Sequence, residues 1–248
     1  MKKCIILIVW GLLLAHCQAV PVETERVEDD PELKAGLFEG DMDLGNSRNG
    51  LLDTTKRWPN GIVRYRIDPV FDIEHSLHIL KGMQIIESKS CIRFRHAIDT
   101  TKAFIRIKGE PTGCSAKVGY SGTEQNVNLE VYDLDKGCFR IGSIMHELLH
   151  ALGFYHQHSS TERDNYVKVM WDNIKTGMES NFVKYDSNTV SNFGVEYDYG
   201  SVMHYSSTSF SKNGEKTLVA LKSTDAVMGQ RLELSDSDVL KLNKMYNC

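Results

Sequence analysis

The sequence predicts an α+β fold: a single domain with a β-rich first half, a helix near the middle of the chain, and an irregular second half closed by a last helix. Three observations carry this. Apolar and polar residues alternate at Val63–Ile67, Ile92–Phe94, Ala103–Ile107 and Val127–Val131, the period of half-buried strands. Helical spacing appears over Ile73–Ile86 and again from Ile141 to Gly153. From there to about Leu234 the chain is aperiodic, rich in turn formers and aromatics, and then offers a capping signal.

The composition is that of a globular protein: 248 residues, 41% hydrophobic and 25% charged, which excludes disorder over most of the chain. Met1–Ala19 has two lysines, an apolar run from Ile5 to Ala15 and small residues near its end. That pattern predicts a cleaved signal peptide, since the run is well short of the roughly 20 residues that cross a bilayer. Secretion is the expected destination.

Val20–Arg48 carries nine Asp or Glu against three Lys or Arg, with no sustained period, and reads as a pro-segment that cannot fold alone. Asn49–Cys248, the expected mature domain, holds 24 of each sign, which gives no electrostatic reason for binding nucleic acid or a membrane. After the turn Trp58-Pro59-Asn60-Gly61, Val63, Tyr65 and Ile67 form the first strand. A helix follows with two apolar series, Ile73, Leu77 and Leu80 on one side and Ile79, Met83 and Ile86 beside it. The strand at Val127, Leu129 and Val131 is expected to be an edge strand that pairs with substrate backbone. Ser235-Asp236-Ser237-Asp238 caps the last helix.

Cys4 and Cys17 leave with the signal peptide, so Cys91, Cys114, Cys138 and Cys248 remain. An even count in an oxidising compartment predicts two disulfides, and three pairings are open.

The chemistry lies in His146-Glu147-Leu148-Leu149-His150-Ala151-Leu152-Gly153-Phe154-Tyr155-His156. On a helix His146 and His150 are one turn apart and face one cation. Gly153 can take the positive φ that ends the helix and brings His156 round as a third nitrogen ligand. Three neutral imidazoles suit one zinc ion per chain and leave an open position. Glu147 is then the expected general base and acid, taking a proton from the attacking water and giving it to the leaving amine.

HExxHxxGxxH is the metzincin signature. Continued here as Phe154-Tyr155-His156-Gln157-His158, and followed by Ser201-Val202-Met203-His204-Tyr205, it resembles the astacin family of zinc endopeptidases. The resemblance implies a metzincin-type catalytic domain with a sheet and helices in an N-terminal subdomain, an irregular C-terminal subdomain, and the active-site cleft between them. It implies that Met203 lies under the metal and that Tyr205 is a mobile extra ligand that stabilises the transition state. Phe38-Glu39-Gly40-Asp41 resembles the family's FxGD motif, whose aspartate occupies the metal in the zymogen. Arg48-Asn49 resembles the activation junction, cut by another protease, with Lys56-Arg57 as a competing site. The family pattern maps the disulfides to Cys91–Cys248 and Cys114–Cys138. Protein or peptide substrates and a monomer are expected.

Gln157 departs from the glutamate that in this family ties to the mature N-terminus. His75, His78, His96, His158 and His204 lack ligand spacing and are expected at the surface or in packing. A catalytically inactive binding protein on the same scaffold is the alternative reading, and the presence of Glu147 speaks against it.

Overall fold

The computed structural model describes residues 30–45, 53–99, 102–188 and 190–248, together with a short antiparallel pair, Cys4–Ile5 with His16–Cys17. Apart from those four positions, the expected signal peptide lies outside the described residues. So do residues 20–29 and the expected junction Arg48-Asn49.

A six-stranded mixed sheet forms the first half. Its strands are β1 (Met42–Asp43), β2 (Ile62–Ile67), β3 (Arg93–His96), β4 (Ile105–Lys108), β5 (Cys114–Lys117) and β6 (Gln125–Leu129), in the spatial order β1-β5-β6-β4-β2-β3. Every neighbouring pair is parallel except β5 with β6. Val63, Ile105, Ile107 and Val127 are wholly buried, as strand alternation requires.

The lateral position of one strand corrects an expectation. Gln125–Leu129 is flanked by β4 and β5 and is therefore interior, while Val131 lies beyond its end and is 44% exposed. Alternation reports which face a residue takes and carries no information on which strand is outermost. The Asn128 side chain is spent inside the fold, donating to the carbonyls of Glu110 and Gly113 at 2.9 and 2.7 Å. On the other side of β5, the amides of Ala116 and of Val118 just past its end point away from β6. They donate to the Asp41 and Asp43 carbonyls at 3.0 Å, so a piece of the expected pro-segment extends the sheet.

Helix α1 (Ile73–Lys89) links β2 to β3, capped by Asp72, whose side chain accepts from the His75 amide. It buries Ile79, Gly82, Met83 and Ile86, whereas Ile73 and Leu77 of the other apolar series are 76% and 60% exposed. Gly82 lets α1 approach α2 (Ile141–Leu152): a Cβ there would lie 2.7 Å from Ile144 Cγ2. Ile144, Met145, Leu148, Leu149 and Leu152 are at most 1% exposed. Burying each contributes about 1.5–3 kcal/mol, so packing fixes α2 before any ligand acts.

The second half has short 3-10 turns and one ribbon, β7 (Val167–Val169) antiparallel to β8 (Leu218–Ala220). Its own small core gathers Val167, Ile174, Phe182, Tyr197, Tyr199, Tyr205, Phe210 and Leu218. Helix α3 (Asp236–Tyr246) starts with a complete capping box between Ser235 and Asp238 and returns to the first half. There Tyr246 Oη donates to the Leu152 carbonyl at 2.8 Å, at the end of α2. Disulfides join Cys91 to Cys248 and Cys114 to Cys138.

Candidate metal centre

Helix α2 presents His146 and His150 on one face, and Gly153 ends it in the left-handed region, with φ 109°. The Gly153 and Phe154 amides donate to the His150 and Leu149 carbonyls at 2.8 and 2.9 Å, closing the helix as the chain turns back. The turn brings His156 round, so that the Nε2 atoms of His150 and His156 lie 3.0 and 3.3 Å from Nε2 of His146. All three rings are buried.

Each Nδ1 has its own acceptor. For His146 it is the Val202 carbonyl at 2.8 Å, for His150 the Phe154 carbonyl at 2.7 Å, and for His156 the Glu39 carboxylate at 2.8 Å. Donation from Nδ1 leaves the Nε2 lone pairs converging on one point, an arrangement of bare acceptors that a cation satisfies. Asp41 closes the group: its Oδ2 is 3.1 Å from His146 Nε2, and its Oδ1 is 3.4 and 3.3 Å from those of His150 and His156. Among the described residues these four alone could hold a metal ion as a cluster of histidine, cysteine and carboxylate.

Glu147 is fully buried next to His146, and neither of its carboxylate oxygens has a hydrogen-bond partner. Burial first, then the Asp41 and Glu32 charges, push its carboxyl well above the ordinary range.

Met203 is 2% exposed, and its carbonyl accepts from the Gln157 amide at 2.9 Å, joining the turn at 201–205 to the chain after the third histidine. Tyr205 packs beside His156, with ring centroids 4.8 Å apart, and its Oη donates to the Glu39 carbonyl at 2.6 Å. Gln157 meets the Lys241 ammonium through its side-chain oxygen. His158 and His204 are buried in packing roles: His158 stacks on Tyr205 at 3.7 Å, and His204 Nε2 meets Tyr197 Oη.

Four contributors carry no signal of their role in the sequence. Asp238 of α3 accepts from Ser201 Oγ and from the Val202 amide, holding the loop whose carbonyl orients His146. Glu39, Glu32 and Arg231 tie the acidic segment to the domain.

The model of the astacin peptidase family matches residues 51–247. The chain belongs to the astacin family. Seminal metalloprotease 1 of Drosophila melanogaster is 43% identical to it over 97% of both chains. Meprin A subunit beta of Homo sapiens is 39% identical over 86% of this chain and 30% of its own length. Among solved structures, the hatching enzyme High choriolytic enzyme 1 of Oryzias latipes superposes with a TM-score of 0.71 at 32% identity, covering 79% of this chain and 96% of that one. Membership makes the chain a zinc metalloendopeptidase acting on protein or peptide substrates, and its zinc site is the cluster of His146, His150, His156 and Asp41. Among the described residues no helix is long and apolar enough to cross a membrane.

Proposed function

We propose that this astacin is secreted as a latent precursor, that residues 20–48 are a pro-segment, and that removing them at Arg48-Asn49 releases an endopeptidase with Glu147 as its proton carrier. The observation that carries this is Asp41, whose two oxygens lie 3.1–3.4 Å from all three histidine Nε2 atoms. A carboxylate there takes the position that a water or a substrate carbonyl needs.

The zinc supplies Lewis acidity for the scissile carbonyl and for an attacking water. Glu147 takes the proton of that water on a carboxylate oxygen and passes it to the leaving amine nitrogen. The buried, unpartnered state of both its oxygens supports this role, because no structural hydrogen bond has to break first. Tyr205 Oη, freed from the Glu39 carbonyl when the segment leaves, donates to the oxyanion that forms at the carbonyl oxygen. Loss of β1 opens the Ala116 and Val118 amides of β5, and an extended substrate adds its backbone at that edge.

The test is cleavage of casein by the precursor and by protein cut at Arg48-Asn49, each with and without chelator, alongside Glu147→Ala. Cleavage by the cut wild type alone, abolished by chelator, supports the whole reading. Inert cut protein that retains its zinc points to a binding protein on this scaffold, and cleavage by the uncut precursor removes the latency claim.

A further inference from the structure

The three ligand histidines are oriented unequally. His146 and His150 donate through Nδ1 to backbone carbonyls of the catalytic domain, Val202 and Phe154. His156 donates instead to a side chain, that of Glu39, which lies in the acidic segment 117 positions away along the chain.

The other Glu39 oxygen accepts from Ser159 Oγ at 2.7 Å, and its backbone carbonyl accepts from Tyr205 Oη at 2.6 Å. Glu39 is wholly buried and has φ +47°, in the left-handed region that non-glycine residues rarely take. In that conformation its side chain reaches His156 while its carbonyl faces Tyr205. A strained residue held at a site by several hydrogen bonds points to a role there.

We propose that Glu39 is a positioning residue for zinc binding, supplied by the segment that activation removes, so that the precursor is the form built to load the metal. The inference rests on the reading of residues 20–48 as a removable pro-segment and goes beyond blockage by Asp41. A carboxylate on the far nitrogen of a ligating imidazole fixes its ring and its tautomer and strengthens it as a ligand. Glu39 does this for the one histidine ligand that lies outside α2, on the turn after Gly153, where no helix constrains the ring. Excision leaves His156 without this acceptor.

The experiment measures Zn2+ affinity by chelator competition on full-length precursors: wild type, Glu39→Gln and Glu39→Ala. Docking of the segment is followed in parallel by its protection from protease. Glu39→Ala is expected to weaken Zn2+ binding about 10- to 100-fold, the usual effect of losing such a partner. Glu39→Gln, whose amide oxygen can still accept from Nδ1, is expected to recover part of that loss. Affinity within about twofold of wild type in both variants, well short of that usual effect, overturns the proposal. Should Glu39→Ala undock the segment, Glu39→Gln decides: docked and several-fold weaker supports the proposal, docked and equal overturns it. Failure of the latency reading shows separately, as casein cleavage by the uncut wild type.

Discussion

Arg231 grips Glu32 along the edge of its guanidinium, with Nε 2.8 Å from both carboxylate oxygens and Nη2 on Oε2. Ser143 Oγ adds a donor at 2.6 Å, and both charged side chains are almost fully buried. Breaking such a pair by removing one partner costs about 3–5 kcal/mol, because the other charge stays buried and uncompensated. Glu32→Ala is therefore expected to undock the segment in a fraction of molecules while Asp41 is intact. Faster proteolysis of residues 30–45 and measurable casein cleavage by the uncut precursor would report it. Wild-type protection would mean that the ion pair does not hold the segment.

The same pair sets an acid dependence. Burial acts to raise the Glu32 carboxyl, but the Arg231 guanidinium outweighs it and holds the group well below the ordinary glutamate range. A depressed carboxylate contributes stability above its unfolded value, near about 4.3, and loses it as pH falls from there toward the folded value. The docked segment should keep this contribution from about pH 7 to about pH 5 and lose it in stronger acid. Glu32→Gln should flatten that part of the acid release curve, which segment proteolysis against pH would record.

Gly142 is the second residue of α2, and a Cβ built there would lie 2.1 Å from the Arg231 carbonyl carbon and 2.4 Å from its Cα. Both are backbone atoms, and the Gly142 amide donates to the Arg231 carbonyl at 3.0 Å, so neither side can yield cheaply. Gly142→Ala should destabilise by about 1–3 kcal/mol or more. The drop in Tm should come with a loosened segment 30–45, since the displaced backbone carries the guanidinium that holds Glu32.

Much of this site was legible because its signals are local. Spacing put His146 and His150 on one helix face, and Gly153 marked the turn that delivers His156. The capping signal at Ser235 likewise placed α3. What sequence missed depends on contacts between distant segments. Asp238 reads as a helix cap, and only the fold brings its carboxylate to Ser201 and Val202. Glu39 was one acid among nine until its neighbours were known. The edge strand failed for the same reason: β5 has the short sequence Cys-Ser-Ala-Lys, with little apolar alternation, and its place between β6 and β1 follows from pairing rather than pattern.

The Cys91–Cys248 bond spans 157 positions and ties the end of α3 to the start of β3. In the chain-entropy view, closing so long a loop stabilises by about 4–5 kcal/mol, against about 3 kcal/mol for a loop like that of Cys114–Cys138. Cys248→Ser should therefore cost more than the paired change at Cys114 and Cys138, as denaturant titration would show, provided both bonds mainly restrict the unfolded chain. The reverse order would mean that the short bond, buried beside β5, acts chiefly through native packing.

Asp238 offers the last separation of structure from chemistry. Its carboxylate accepts from Ser201 Oγ at 2.5 Å and the Val202 amide at 2.8 Å, and the Val202 carbonyl in turn accepts from His146 Nδ1 at 2.8 Å. Asp238 also caps α3 through the Ser235 amide at 3.1 Å. Asp238→Ala should lower stability by more than the roughly 1 kcal/mol of a lost cap, because the Ser201 hydroxyl and the Val202 amide also lose a buried acceptor. It should also weaken Zn2+ binding about 10-fold through the loosened carbonyl on His146. Ser235→Ala removes only the Oγ that accepts from the Asp238 amide, and should cost about 1 kcal/mol without the metal effect. Chelator competition on the two variants distinguishes them, and equal Zn2+ affinities would show that the loop holds its place without Asp238.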